Sequence, residues 1–137
     1  MNILYPPMAL IGLTFFCIVR LGYLRFVAVR DRTVDLRYYS SYQGYEEPEK
    51  LRVHSRHVIN LFEVPVLFYA IALIAYVSGA TSSIAVLLAW IYAGLRFVHT
   101  FVHLTSNVIL LRFRIFAFSV FALIALWAVV GVNLLRQ

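Results

Sequence analysis

The stretch Val64–Leu95, VPVLFYAIALIAYVSGATSSIAVLLAWIYAGL, decides the fold. It contains no charged residue and is longer than one helix needs to cross a bilayer at ordinary tilt. In its middle, Ser78-Gly79-Ala80-Thr81-Ser82-Ser83 gathers small and hydroxyl residues around a glycine and reads as a tight turn. Two antiparallel membrane helices therefore meet here, one ending near Val77 and the other starting near Ser83.

Outward from this pair, residues 1–19 are uncharged, and Pro6 and Pro7 suit a first helical turn, where their missing donors cost nothing. A first helix is expected over about 5–26. A polar loop follows, with Arg30, Asp31, Arg32, Asp35, Arg37 and the acidic run Glu46-Glu47-Pro48-Glu49. Its Tyr38–Tyr45 part reads as loop, and the acidic run reads as a solvated lead-in to the next helix. The remaining helices are expected over about 54–77, 83–107 and 115–135. The fold class is thus an all-α integral membrane protein, an antiparallel four-helix transmembrane bundle in one domain. Composition agrees: of 137 residues, 63% are hydrophobic and 13% charged, against about a quarter charged in soluble domains. The net charge of +6 sits at the ends of apolar runs rather than on a basic stripe, so nucleic acid is not an expected partner and the lipid bilayer is. Cys17, the one cysteine, forms no internal disulfide and reads as a small buried hydrophobe.

Lys and Arg counts orient the bundle. The 30–55 loop and the connection carrying Arg112 and Arg114 are basic, whereas the 78–83 turn has no cation. Both basic connections should face the cytoplasm, with both termini outside. Three spans would put them on opposite sides, which excludes that count.

Ionisable residues inside membrane helices mark sites by default. Arg56, Asn60 and Glu63 lie within about 60° of one another on the second helix. Pro65 follows, strips the Leu61 carbonyl of its usual partner, and predicts a kink. On the third helix, Arg96, His99, His103 and Asn107 fall within about 80°. Glu63 and Arg96 stand equally far from the turn, so an intramembrane Glu63–Arg96 pairing is expected, near the cytoplasmic end. The excess of Arg over Glu points to an anionic ligand, because the guanidinium fork matches a carboxylate. His99 and His103, at i and i+4, could share a metal, but no third ligand has clear spacing and no metal is expected. A polar seam holding the helices together is the competing structural account.

Arg56-x3-Asn60-x2-Glu63-x-Pro65 resembles the signature of the MAPEG family, the membrane-associated proteins of eicosanoid and glutathione metabolism. Leu95-Arg96-x2-His99-x3-His103-x-Thr105-Ser106-Asn107, followed by Leu111-Arg112, is similar to the third helix and next loop of its bacterial members. The resemblance implies a homotrimer in a bacterial inner membrane, with glutathione held between subunits near the cytoplasmic face. It implies a transferase or peroxidase acting on lipophilic electrophiles that enter from the bilayer. Arg56, Arg96 and Arg112 would then meet the carboxylates of glutathione, Glu63 its ammonium or an amide, and Asn60 its peptide; His99, His103 and Asn107 complete the binding stripe. An arginine near the end of helix one would stabilise the thiolate, and Arg20, Arg25 and Arg30 all compete for that role. The family's third-helix tyrosines correspond to Phe97 and Phe101 here. The alternative function is a non-enzymatic scaffold or accessory subunit of a larger membrane complex.

Overall fold

The computed structural model describes residues 2–44 and 47–137. It is all-helical there: α1 (Tyr5–Arg30), α2 (Tyr38–Ser41), α3 (Glu49–Leu61), α4 (Val64–Val77), α5 (Ser83–Leu104) and α6 (Ile109–Leu135). Four helices are long and apolar enough to cross a membrane, with α3 and α4 together forming the second.

The ends of these helices follow local chemistry. Pro6 and Pro7 sit in the first turn of α1. That helix runs to Arg30, a turn beyond 26, and stops where Arg32 turns left-handed (φ 56°). There the Thr33 N–H and hydroxyl both donate to the Ala28 carbonyl, each at 2.9 Å. One turn of helix, α2, occupies the segment expected to be loop; it ends where Tyr42 takes φ 55°. The second span starts at Glu49 rather than 54, directly after Pro48, with Glu49 in its first turn where the helix dipole favours an acid. The 78–82 turn is as predicted: Gly79 adopts φ 72°, and the Ser82 side chain caps α5 by accepting from Ala85 N–H at 3.2 Å. α5 stops at Leu104 rather than 107, because Asn107 (φ 48°) reverses the chain and its N–H returns to Val102 O at 2.8 Å. As a result α6 begins at Ile109, not 115, and Arg112 and Arg114 lie in its first turns instead of in a loop.

The expected kink before Pro65 is a full break. Phe62 and Glu63 leave the helix, with Glu63 at φ −88°, ψ −96°. Proline offers no N–H to Leu61 O, and the chain restarts as α4.

α5 is the central helix, packed most extensively on α6 and also against α1 and α3. At the end bearing the 78–82 turn, small residues let the helices approach closely: Ala72, Ala75, Ala85 and Ala89 pack with Leu10, Phe68, Tyr92, Leu123 and Leu126. Both termini lie at this end. Ile3 joins that core, Asn133 donates to Ala80 O at 3.1 Å, and Gln137 donates to Ser78 O at 3.1 Å. At the opposite end a smaller core of Leu21, Ala28, Val34 and Leu51 lies beneath the 31–48 connection. A polar layer, with His57, Arg96, His99, Thr100 and His103 all buried, separates the two cores.

Candidate functional site

The polar layer starts from the break in the second span. The missing helical turn leaves the Asn60 carbonyl open, and Arg96 of α5 reaches it. Arg96 is fully buried (0% exposed). Its Nη2 donates both to Asn60 Oδ1 at 2.7 Å and to Asn60 O at 3.1 Å. Its Nε and Nη1 are buried without a partner, and the guanidinium lies 5.7 Å from the Phe116 ring centre. The direct Glu63–Arg96 pairing expected from equal depth does not form. Asn60 stands between them and donates to Glu63 Oε2 at 3.4 Å, while Glu63 itself is exposed. Among the described residues no carboxylate lies within ion-pair distance of Arg96.

Depth gives this arrangement its significance. Arg96 lies thirteen residues past the start of α5 and Glu63 fourteen before the end of α4. At 1.5 Å per residue both are about 20 Å from the 78–82 turn, well inside a hydrocarbon layer about 30 Å thick.

Arg56 faces elsewhere. The buried side of α3 is Leu51, His54, His57 and Leu61, and Arg56 projects from the far side, exposed like Glu63. The Arg56–Asn60–Glu63 stripe therefore points out of the bundle, and only Asn60 is drawn back to α5. The buried side brings in a residue that the sequence reasoning missed. His57 packs against His99 and His103, all three buried, at ring-centre distances of 6.1 and 4.9 Å. Its Nδ1 lies 3.2 Å from His103 Nδ1. The signal available was the spacing Leu51–His54–His57–Leu61, an inward stripe of helical period. Asn107 and Arg112 sit just beyond, joined by Arg112 Nη1 donating to Asn107 Oδ1 at 2.7 Å.

A second polar cluster lies between α1, α3 and the 31–48 connection. Arg25 Nη2 donates to Ser55 Oγ at 3.2 Å, Ser55 donates to Glu47 Oε2 at 3.2 Å, and Arg25 Nε is 3.7 Å from Glu47 Oε1. Glu47, expected to be solvated, is buried (8% exposed), because this cation and hydroxyl replace its water. Its neighbour Glu46 lies outside the described residues, as does Tyr45. Arg25 also lies 5.3 Å from the Tyr39 ring centre. Burial and then the nearby Glu47 charge push the Tyr39 phenol up to about 12. Of the three competing arginines on α1, Arg20 and Arg30 are exposed, Arg30 pairs with its neighbour Asp31 at 2.8 Å, and Arg25 alone turns towards the other helices.

Fold and site together define a polytopic four-helix membrane protein with a cationic polar layer buried near one membrane surface. The MAPEG family model matches residues 3–132, nearly the whole chain, and the protein belongs to that family. No curated protein and no solved structure gives a significant match.

Proposed function

We propose that the chain is a glutathione-dependent transferase or peroxidase acting on lipophilic electrophiles. It works as a homotrimer in a bacterial inner membrane, with both termini outside the cytoplasm. One observation carries the reading: Arg96 is a buried cation within a membrane span, with two unpartnered nitrogens and, among the described residues, no carboxylate within ion-pair distance, Glu63 reaching it only through Asn60. A charge only partly compensated at that depth is expensive, and an anionic guest is what would complete the compensation. A carboxylate of glutathione fits the free edge of the guanidinium, which donates in a planar fork.

The outward Arg56 and Glu63 support the trimer. A charge facing lipid at the depth of Glu63 is costly, and a neighbouring subunit would cover it together with Arg56, which lies about two turns nearer the surface. In that assembly Arg56 and Arg112 hold the remaining carboxylate, Glu63 the ammonium and Asn60 a peptide group. When bound, glutathione supplies the thiol that attacks an apolar electrophile, and Arg25, the inward-turned arginine of α1, is the candidate to favour its thiolate. The cations gathered at this end, Arg30, Arg32, Arg37, Lys50, Arg52, Arg112 and Arg114, against none in the 78–82 turn, support a cytoplasmic location for it, where the tripeptide is made available.

Calorimetry of glutathione on the detergent-purified protein tests this. Saturable binding is expected, weakened at least about tenfold, or 1.4 kcal/mol, by Glu63→Gln and by Arg96→Leu. Wild-type protein that takes up no glutathione ends the proposal. A non-enzymatic scaffold is the second reading. Phe97 and Phe101 favour it, because they are exposed (42% and 69%) and carry no hydroxyl to hold a polar substrate. A stable larger complex recovered in mild detergent would support it; a lone trimer would count against it.

A further inference from the structure

The glutathione reading uses Arg96 and the Asn60–Glu63 break. It does not use the three imidazoles beside them. His57, His99 and His103 are 0%, 3% and 6% exposed. Each offers a ring nitrogen, and these atoms all lie within 4.8 Å of one another. One pair, His57 Nδ1 and His103 Nδ1, is at 3.2 Å and can share only one proton between them. His57 Nε2 and His99 Nδ1 are buried with no partner at all. A layer serving only to join helices would leave fewer ring nitrogens unsatisfied, because each costs desolvation free energy.

We infer that His57, His99 and His103 form a three-imidazole site for a borderline transition-metal ion such as Zn²⁺, within the membrane and near its cytoplasmic surface. Imidazole nitrogen suits zinc, copper and nickel, and three protein ligands with one open position is the pattern of reactive rather than closed zinc sites. Tetrahedral zinc with bonds of about 2.1 Å sets its ligands about 3.4 Å apart. The His57–His103 pair is close to that spacing at 3.2 Å, and a His99 nitrogen within 4.8 Å of them has a gap of up to about 1.4 Å to close.

The surroundings say which ligand completes the site. Arg96, one turn before His99, and Arg112, at the start of α6, face the cluster, Lys50 and Glu49 lie at its His103 edge, and among the described residues no carboxylate belongs to it. The fourth ligand is therefore anionic: hydroxide, chloride or a thiolate. A cavity reaches the His103 edge of the cluster. His54 and His103 line a cavity of about 300 Å³ with Glu49 and Asn107, at the end of the bundle where α3 starts and α5 finishes. His54 Nδ1 donates to Lys50 O at 2.7 Å, and its Nε2 is buried without a partner.

The test uses the full chain, purified in detergent through a tag without histidine and stripped with chelator. Co²⁺ is titrated as a spectroscopic probe, and Zn²⁺ is then added in competition. One Co²⁺ per chain with the intense visible bands of four-coordinate cobalt is expected, displaced by equimolar Zn²⁺. His99→Gln and His57→Gln should each lower cobalt affinity about 100-fold or more, since loss of even an outer-sphere partner costs 10–100-fold. Circular dichroism checks that each variant folds. Absence of four-coordinate bands in the wild type, or unchanged affinity in a folded His99→Gln variant, overturns the assignment. Because the readout contains no thiol, it succeeds or fails independently of glutathione binding.

Discussion

Asn60→Ala tests the contact on which the polar layer turns. The substitution removes the Oδ1 acceptor at 2.7 Å and leaves Arg96 only the Asn60 carbonyl at 3.1 Å. In soluble proteins a hydrogen bond to a charged group contributes about 1.5–3 kcal/mol. Measured interhelical polar contacts in membranes average about 0.6 and reach about 1.7 kcal/mol. Arg96 is fully buried and two of its nitrogens are already unpartnered, so no replacement acceptor is at hand. The loss should lie near the membrane ceiling, about 1.5 kcal/mol. The Asn60–Glu63 bond is long, at 3.4 Å, and adds little; Glu63→Gln should cost under about 0.5 kcal/mol in stability. A double-mutant cycle with Arg96→Leu isolates the pair. Reversible unfolding in mixed micelles of mild detergent and dodecyl sulfate supplies the four free energies. The expected coupling is about 1–1.5 kcal/mol. Costs that add to within about 0.3 kcal/mol would show that α5 does not grip the break in the second span.

Ser82→Ala should cost about 1 kcal/mol in the same unfolding assay, since it removes the cap of α5; a change under about 0.3 kcal/mol would mean the cap is not formed. Tyr39 gives an alkaline signature. Its folded pKa, about 12, exceeds the ordinary 10, so the fold favours the neutral phenol; the contribution is complete below pH 10 and lost as pH rises through about 12. Unfolding scans from pH 9 to about 12 should therefore show a steeper alkaline loss in wild type than in Tyr39→Phe, and equal slopes would refute the placement of that ring. Orientation can be read with a membrane-impermeant maleimide on intact cells. Cys17 is buried (3% exposed) and should stay unlabelled, Thr81→Cys should label from outside, and Ser40→Cys should label only after lysis; the reverse pattern would invert the topology.

Spans and turn were legible because hydropathy and glycine act locally. The 64–95 run needs two helices whatever packs around it, and Gly79 supplies the positive φ at its turn. Pro65 announced the break by chemistry alone, though not that Phe62 and Glu63 would both leave the helix. The site was legible as a set of residues but not as a set of directions. α3 carries two polar stripes, Arg56–Asn60 on one side and His54–His57 on the other, and spacing alone cannot say which faces α5. Choosing the more highly charged stripe put Arg56 inside and overlooked His57. The error has a physical reason: beside the already buried Arg96 a second guanidinium costs more to bury than imidazoles do, so the histidine side turns inward and the charged side outward. Arg112 was misplaced for a related reason. An arginine reads as loop in a hydropathy profile, yet in the first turn of α6 its long side chain reaches back to Asn107 without interrupting the helix.

The cost of the polar layer argues against a purely structural role for it. Helix association in a bilayer needs only small residues and hydroxyls, and α5 already has them in Ala85, Ala89, Ala93 and Thr100. Arg96 grips the break through Asn60, yet apolar groups of similar volume often replace buried charged networks at no loss of stability, so helix association alone does not call for a guanidinium and three imidazoles. These residues nevertheless gather within about 10 Å along α5, from Arg96 to His103, beginning where the second span breaks and opens the Asn60 carbonyl to Arg96. The two proposed guests match what is left unpaired beside the broken helix: the glutathione carboxylate would meet the free nitrogens of the Arg96 guanidinium, and the metal ion would be the electron-pair acceptor at the imidazoles.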